Sequence, residues 1–516
     1  HSRRRWLALM PKSGRLLLTT NTKRSSEMTL TLVDRSEVPK DAKVHRPIWR
    51  FKVKLDGRYK ARLCFDGRYQ VQGKDVWETT APVPPFELIR VCLTLLLQAS
   101  AKIAQADILN AFLHSEVDAM VFMEQPEGYR IGRKVCRLNK SLYGLQQASR
   151  LWHLTLIEAL VEEGLVQSAY CNCILMGRWK SIWMIVIIYV DDLIVGSNDP
   201  EKVESLLDKL QERFGVRIED FTTYLGMKCT LRNGSLFLSQ QHLVRELIAK
   251  TDCQSKRPTL TPANPKTFLE EMGEPFEDLE RYRSVIGSLL WLGRSTRPDI
   301  LFQVIALAQF QASPTMIQWG AAQHLVRYIK GTSSLGIKLN ADPADHDIKV
   351  YFDAGHHNPA LRSRSSTGFL VTLGGAPIAW SSSIQKNVTI SSAESEYMAI
   401  SEGMRVVLWM TYFFEEMEEV TGIKRYKRPN CFTDSQPAIA LIEKEDPCMP
   451  STRHLQARAH WMWQHFRSDG NGPHFQLNYI NTKENLADIL TKSFIATAPF
   501  CRLRDKILSH NPDYDP

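Results

Sequence analysis

Tyr189-Val190-Asp191-Asp192 lies between two apolar, strongly β-forming runs, Ile182–Ile188 before it and Leu193-Ile194-Val195-Gly196 after it. That pattern predicts a hairpin whose tight turn carries two adjacent carboxylates. Neighbouring acids in a nearly dry hairpin repel each other and are costly unless a cation neutralises them. Mg²⁺ is suited to that role and is itself a catalyst. Asp is also an ordinary turn residue, so an Asp-Asp turn between two structural strands reads the same way locally. The rest of the chain has to decide between them.

At 516 residues the chain has room for about three domains. A hydrophobic content of 44% is enough to build real cores. No secretory signal is evident, and no apolar run is long enough to span a bilayer; Ile182–Val190 is too short and runs into two acids. The ten cysteines form no CxxC pair, and only Cys171-Asn172-Cys173 comes near one. They read as reduced and mostly buried thiols of an intracellular protein, which argues against a zinc site. The net charge of +9 is uneven. Arg3, Arg4, Arg5, Lys12, Arg15, Lys23 and Arg24 stand in a first stretch with no acid, and residues 40–80 are basic as well. Such concentration suggests phosphate contact, although a solvated basic face would look similar. The first residue is His1, so a piece of a longer translated frame or a processed product is expected. Residues 1–27 read as a basic, disordered tail.

Along the chain, Trp49-Arg50-Phe51-Lys52-Val53-Lys54-Leu55 alternates apolar and basic residues. Asp56-Gly57 signals a turn, and Tyr59–Phe65 returns as the second strand. A basic hairpin of this kind can fold over a triphosphate. Helices are predicted at Leu88–Leu97, Leu151–Gly164, Glu201–Phe214, Ser239–Lys250, Arg281–Leu292, Ile300–Ala312 and Met316–Ile329, with a strand at Ala104–Ile108. Residues 253–278 read as a polar linker. A second α/β region opens at Val350-Tyr351-Phe352-Asp353.

With these segments in place, the chain resembles the reverse transcriptase and RNase H part of Ty1/copia-type retrotransposon Pol polyproteins. The matching text is Tyr59-Lys60-Ala61-Arg62-Leu63, Ala81-Pro82-Val83, Asp107-Ile108-Leu109-Asn110-Ala111-Phe112-Leu113 and Leu138-Asn139-Lys140-Ser141-Leu142-Tyr143-Gly144-Leu145. It continues through Tyr189–Asp192, Tyr224-Leu225-Gly226, Thr296-Arg297-Pro298-Asp299-Ile300 and Tyr328-Ile329-Lys330-Gly331-Thr332. The resemblance covers roughly residues 28–495. It implies that Asp107 and Asp191 bind two Mg²⁺ ions, or Mn²⁺, with Asp192 assisting. Lys60 and Arg62 would contact the triphosphate, Arg62 through a bidentate fork. Tyr143 and Gly144 would line the nucleotide pocket. Phe112 would pack under the sugar and exclude a 2′-OH; as a side-chain type alone, it is equally a core Phe.

Asp353, Glu396, Asp434 and Asp488 fall in the order of an RNase H acidic tetrad and would hold a second pair of ions. Glu396 is preferred over Glu394 because Ala399 follows it by three residues. Taken singly, each of these acids reads as a surface carboxylate. Some positions depart from the family pattern. Gln146 stands where Lys is usual, Ser149 where Pro is usual, and Asp66 at a usually basic site. Pro84-Pro85 replaces a segment that carries Arg, and Gln456 replaces an acid after His454.

The fold class implied is α+β: a right-hand polymerase (fingers, palm and thumb) followed by an RNase H-like α/β domain. The expected regions are 1–27 tail, 28–250 fingers and palm, 251–345 helical thumb and connection, 346–495 RNase H-like domain, and 496–516 C-terminal tail. Expected partners are an RNA template, a DNA primer, the RNA–DNA hybrid, dNTPs and other parts of the same polyprotein, with no membrane. By analogy the compartment is a cytoplasmic virus-like particle or the nucleus. The alternative is a degenerate or repurposed element that binds nucleic acid without catalysis.

Overall fold

The computed structural model describes residues 29–53, 59–264, 273–340, 345–422, 428–443, 456–466, 475–493 and 497–514. The basic tail, the Asp56-Gly57 turn and the segment around His454 lie outside the described residues. The chain divides into two compact units: His1–Pro84 with Ala104–Glu219, and Pro85–Ile103 with Asp220–Pro516.

The first unit is built on a six-stranded sheet in the order Val216–Glu219, Lys102–Ile108, Asp192–Ser197, Ile182–Tyr189, Ile174–Trp179, Val166–Gln167. Met184, Val186 and Ile188 alternate along the central strand and face one core. The core is closed by Trp152, Leu156 and Leu160 of the helix Ala148–Glu162 and by Val203, Leu206 and Leu210 of the helix Pro200–Phe214. Ile185 and Ile187 on the opposite face are also fully buried. Burial on both faces explains why this strand reads as a continuous apolar run rather than an alternating one. The helix Pro200–Phe214 starts where Asp199 accepts from the backbone N–H of Glu201, with Pro200 at its first position. A smaller sheet, Leu30–Asp34, Lys134–Leu138, Phe122–Met123, Val44–His45, accompanies the basic hairpin Pro47–Val53 and Tyr59–Phe65.

The second unit holds two five-stranded sheets and a set of helices. One sheet runs Thr223–Tyr224, Met227–Arg232, Ser235–Ser239, Leu335–Leu339, Ser509–His510. The other runs Ala376–Ile384, Arg364–Leu373, Ile348–Asn358, Asn430–Thr433, Gln476–Tyr479; its first three strands are antiparallel and its last two join in parallel. The 30-residue helix Ser392–Thr421 packs on it. A Cβ on Gly403 would stand 2.5 Å from the ring of Phe352, so glycine is what lets the helix approach the strand.

Two sequence motifs prove to be one cluster. The guanidinium of Arg297 forks onto both carboxylate oxygens of Asp299, at 2.9 and 2.7 Å, and donates to Thr332 O at 2.9 Å. The hydroxyl of Tyr328 donates to Asp299 at 2.6 Å. Arg297, Asp299 and Tyr328 are buried, and Thr332 is partly so.

Two expectations change. The helix expected over Ile300–Ala312 begins as a 3₁₀ turn, Pro298–Ile300, and its α portion ends at Ala308, short of the polar run before Pro314. The tail expected at 496–516 contains the helix Thr497–Ile507 and the strand Ser509–His510, which pairs with Leu335-Gly336. Within the expected 28–250 region, Pro85–Ile103 packs with the second unit, as does the stretch from Asp220 onward. Arg90 supplies the reason. Its guanidinium is buried 3.7 Å over Trp380 and donates to Ile378 O, Arg294 O and Ser295 O at 3.1, 2.5 and 2.9 Å.

Candidate active sites

The acidic hairpin forms as the sequence predicts. Tyr189 pairs with Asp192, leaving Val190-Asp191 as a two-residue turn. Val190 sits at φ +59°, a region unfavourable for a β-branched residue. Two contacts hold it there. Trp152 Nε1 donates to Val190 O at 2.8 Å, and Ile108 N donates to Asp191 O at 2.9 Å. The second contact also brings Asp107, at the end of its own strand, beside the turn. Burial pushes the Asp192 carboxyl up to about 6, helped by the charges of Asp191, Asp107 and Glu219.

Beside these acids opens a cavity of about 230 Å³ whose wall includes Arg62, Asp107, Tyr143, Asp191 and Arg217. Arg62 lies 4.9 Å over the Tyr143 ring, and Phe112 meets Tyr143 edge-on at 4.8 Å. Phe112 and Gly144 do not line this cavity. Gly144, at φ +96°, has a different role from the one expected: a Cβ there would stand 2.1 Å from Phe65 O, so its absence lets the basic hairpin close against this turn. Lys60 lies on the same strand as Arg62, but its side chain falls outside the described residues. Across that hairpin Arg50 pairs with Arg62 and Lys52 with Lys60. Like charges directly opposite each other are unfavourable and call for an anion.

Arg217 was missed by the sequence reading. Its Nη2 lies 2.6 Å from Asp107 Oδ2 and 2.7 Å from Glu219 Oε1. The signal was present: Val216-Arg217-Ile218-Glu219 alternates, and its register sets Arg217 opposite Asp107.

Two of the departures from the family pattern, Asp66 and Gln146, have partners in the fold. Arg68 forks onto Asp66 at 2.8 and 2.9 Å and holds that carboxyl below its usual range. Gln146 Nε2 donates to Gly67 O at 2.6 Å, a neutral contact where a lysine would have brought a charge.

In the second unit Asp353, Asp434 and Asp488 each place a carboxylate oxygen within 4.8 Å of the other two. Glu396, expected as the fourth acid, is not among these three converging carboxylates; burial first, then the charges of Asp353 and Asp434, push it well above its usual range. Its Oε2 is buried without a hydrogen-bond partner. Glu394 instead accepts from Ile390 N at 2.8 Å, ahead of the helix that Ser391 caps. Asp353 is completely buried, and burial followed by the nearby Asp488 charge pushes it up as well, against the pull of Lys492. Anionic, all-oxygen donors with an orphaned buried oxygen fit a hard divalent cation. The first site offers the same donor chemistry through Asp107, Asp191 and Asp192.

The chain is similar to known proteins. Residues 28–265 match the reverse transcriptase (RNA-dependent DNA polymerase) family. The retrovirus-related Pol polyprotein from transposon TNT 1-94 of Nicotiana tabacum is 32% identical across 88% of this chain and 35% of its own length. That from transposon RE1 of Arabidopsis thaliana is 33% identical across 88% and 31%. The transposon Ty1-GR1 Gag-Pol polyprotein of Saccharomyces cerevisiae is 24% identical across 89% and 27%. The chain thus spans about a third of the length of these relatives. Among solved structures, a foamy viral protease-reverse transcriptase in complex with double-stranded DNA superposes with a TM-score of 0.50 at 12% identity, over 85% of this chain and 65% of that one. That likeness concerns the fold.

Proposed function

We propose that this chain, which carries the reverse transcriptase domain of a Ty1/copia-type Pol polyprotein, copies RNA into DNA and cleaves the RNA strand of the resulting hybrid. The observation that carries the first half is the convergence of Asp107 and Asp191 on the wall of one cavity that also presents Arg62. Asp107, Asp191 and Asp192 would hold the divalent cations, two per site, Mg²⁺ or Mn²⁺. Those cations supply activation of the primer 3′-OH and neutralisation of the leaving pyrophosphate. The protein's own contribution is positioning. Arg62, steadied on Tyr143, offers a planar fork to triphosphate oxygens. The opposed cations of the hairpin welcome the same anion. Phe112, held against Tyr143, stands as the candidate barrier to a ribose 2′-OH.

The second half rests on the convergence of Asp353, Asp434 and Asp488; these, with the buried Glu396 whose Oε2 has no partner, would hold the cations that activate water at an RNA phosphodiester. The partners are then an RNA template, a DNA primer, their hybrid and dNTPs. Among the described residues no helix is long and apolar enough to cross a membrane. Virus-like particles or the nucleus are the compartments this role implies.

Primer extension on an RNA template with a DNA primer tests the reading, comparing wild type with Asp191→Asn in Mg²⁺ and in Mn²⁺. Extension by wild type alone is expected. A folded wild type that binds hybrid yet extends nothing would overturn it in favour of a degenerate, nucleic-acid-binding element.

A further inference from the structure

Lys492 has no part in the site as described so far, yet it touches its centre. Its Nζ lies 3.1 Å from Asp353 Oδ1 and 2.8 Å from Asp488 Oδ1. The neighbouring Thr491 hydroxyl donates to the other oxygen of Asp353. One ammonium therefore bridges two of the three carboxylates that converge there, while Glu396 Oε2 stays buried and unpartnered.

The backbone under the lysine is fixed. Lys492 N donates to Asp488 O at 3.2 Å. Thr491 O accepts from Ser366 Oγ and Asn358 Nδ2, both at 3.1 Å. Asn485 Nδ2 donates to Phe352 O at 2.9 Å. The side chain is another matter. It remains 40% exposed while Asp353 is wholly buried. A long, flexible stem on a rigid base can carry its charge out to water without moving any acid.

We propose that Lys492 is a built-in counter-ion that bridges Asp353 and Asp488 until a divalent cation takes their oxygens, and that it sets the cation concentration at which this site fills. The inference rests on reading the cluster as a cation-dependent nuclease site. Bare, the four carboxylates would repel one another in a dry setting. A single ammonium relieves part of that repulsion, and a divalent ion relieves more. Both claim the same oxygens, so they compete. Removing the ammonium should weaken the cation-free fold and tighten cation binding.

The test uses the full chain carrying Asp107→Asn and Asp191→Asn, so that the polymerase site does not contribute to the signal. Mn²⁺ binding is followed by electron paramagnetic resonance, and melting is followed in EDTA and in Mn²⁺. Lys492→Met should bind Mn²⁺ roughly tenfold more tightly, the scale of one partly exposed ion pair. It should also melt lower than its parent in EDTA and recover in Mn²⁺. Lys492→Gln, which keeps a donor without charge, guards against a variant that fails to fold and should shift the same way. Unchanged Mn²⁺ affinity in both variants would overturn the counter-ion role. No Mn²⁺ binding by parent or variants, with all of them folded, would overturn the nuclease reading beneath it.

Discussion

The two acid clusters solve one electrostatic problem in different surroundings. At the hairpin, the acids sit on a turn bordering a cavity of about 230 Å³, and the cation among them, Arg217, is half exposed. In the second unit Asp353 is sealed, and the cation reaches it along the short tether from Asp488 to Lys492. An open site suits a bulky, flexible triphosphate that brings its own negative charge. A site with a wholly buried acid beneath a part-exposed lysine suits, on the function proposed above, a single phosphodiester presented by a rigid duplex. In both, a basic side chain lies on an acid that the proposed chemistry needs, so cation-free electrostatics is part of each design.

The sharpest way to break this comparison is to silence one cluster at a time. Asp191→Asn should lower primer extension by roughly 10³-fold or more while RNA-strand cleavage continues. Asp353→Asn should do the reverse. Parallel loss of both activities in either variant, with folding intact, would mean that the clusters are not independent. Arg62→Lys keeps the charge and loses the fork; a rise of about tenfold in KM for dNTP with kcat little changed is the expected steady-state result. A pH series sharpens the contrast further. Asp192 is pushed up to about 6 in the fold, so between its ordinary value and 6 the folded protein holds more protons than the unfolded chain. Stability in EDTA should therefore fall as pH rises from about 4 to 6, and Asp192→Asn should flatten that part of the urea-melt profile. The smallest effect belongs to the turn itself. Val190→Asn, better suited to φ +59°, should stabilise the protein by about 0.5–1 kcal/mol in the same melts.

Much of this was legible in the chain because the chemistry is local. Tyr189–Asp192 carries its own turn, strands and acids within one continuous stretch, and Asp353 is announced by the apolar run Val350-Tyr351-Phe352 before it, although its strand continues to Asn358. What escaped was the second partner of each pair. Arg217 lies far along the chain from Asp107, and only strand register sets them side by side. Lys492 stands four residues after Asp488, and nothing in Glu484–Lys492 says that the lysine turns back to Asp353. Gly144 was read as a pocket wall because its neighbour Tyr143 is one; its positive φ and the approach of Phe65 O are tertiary facts. The division at Pro85–Ile103 was hidden for a similar reason, since a single buried arginine ties that helix to strands encoded far downstream.

That arginine also fixes an order of events during synthesis. The helix Phe86–Gln98 is made early, but Ile378 and Trp380, which receive the Arg90 guanidinium, are made much later. Until they leave the ribosome, a cation destined for full burial must stay in water, and its helix cannot settle. The strand Ser509–His510 imposes the same delay on the sheet it completes. Residues Ala104–Glu219 can collapse around the aspartate hairpin while translation continues, whereas the second unit has to wait until Ser509–His510 has been made.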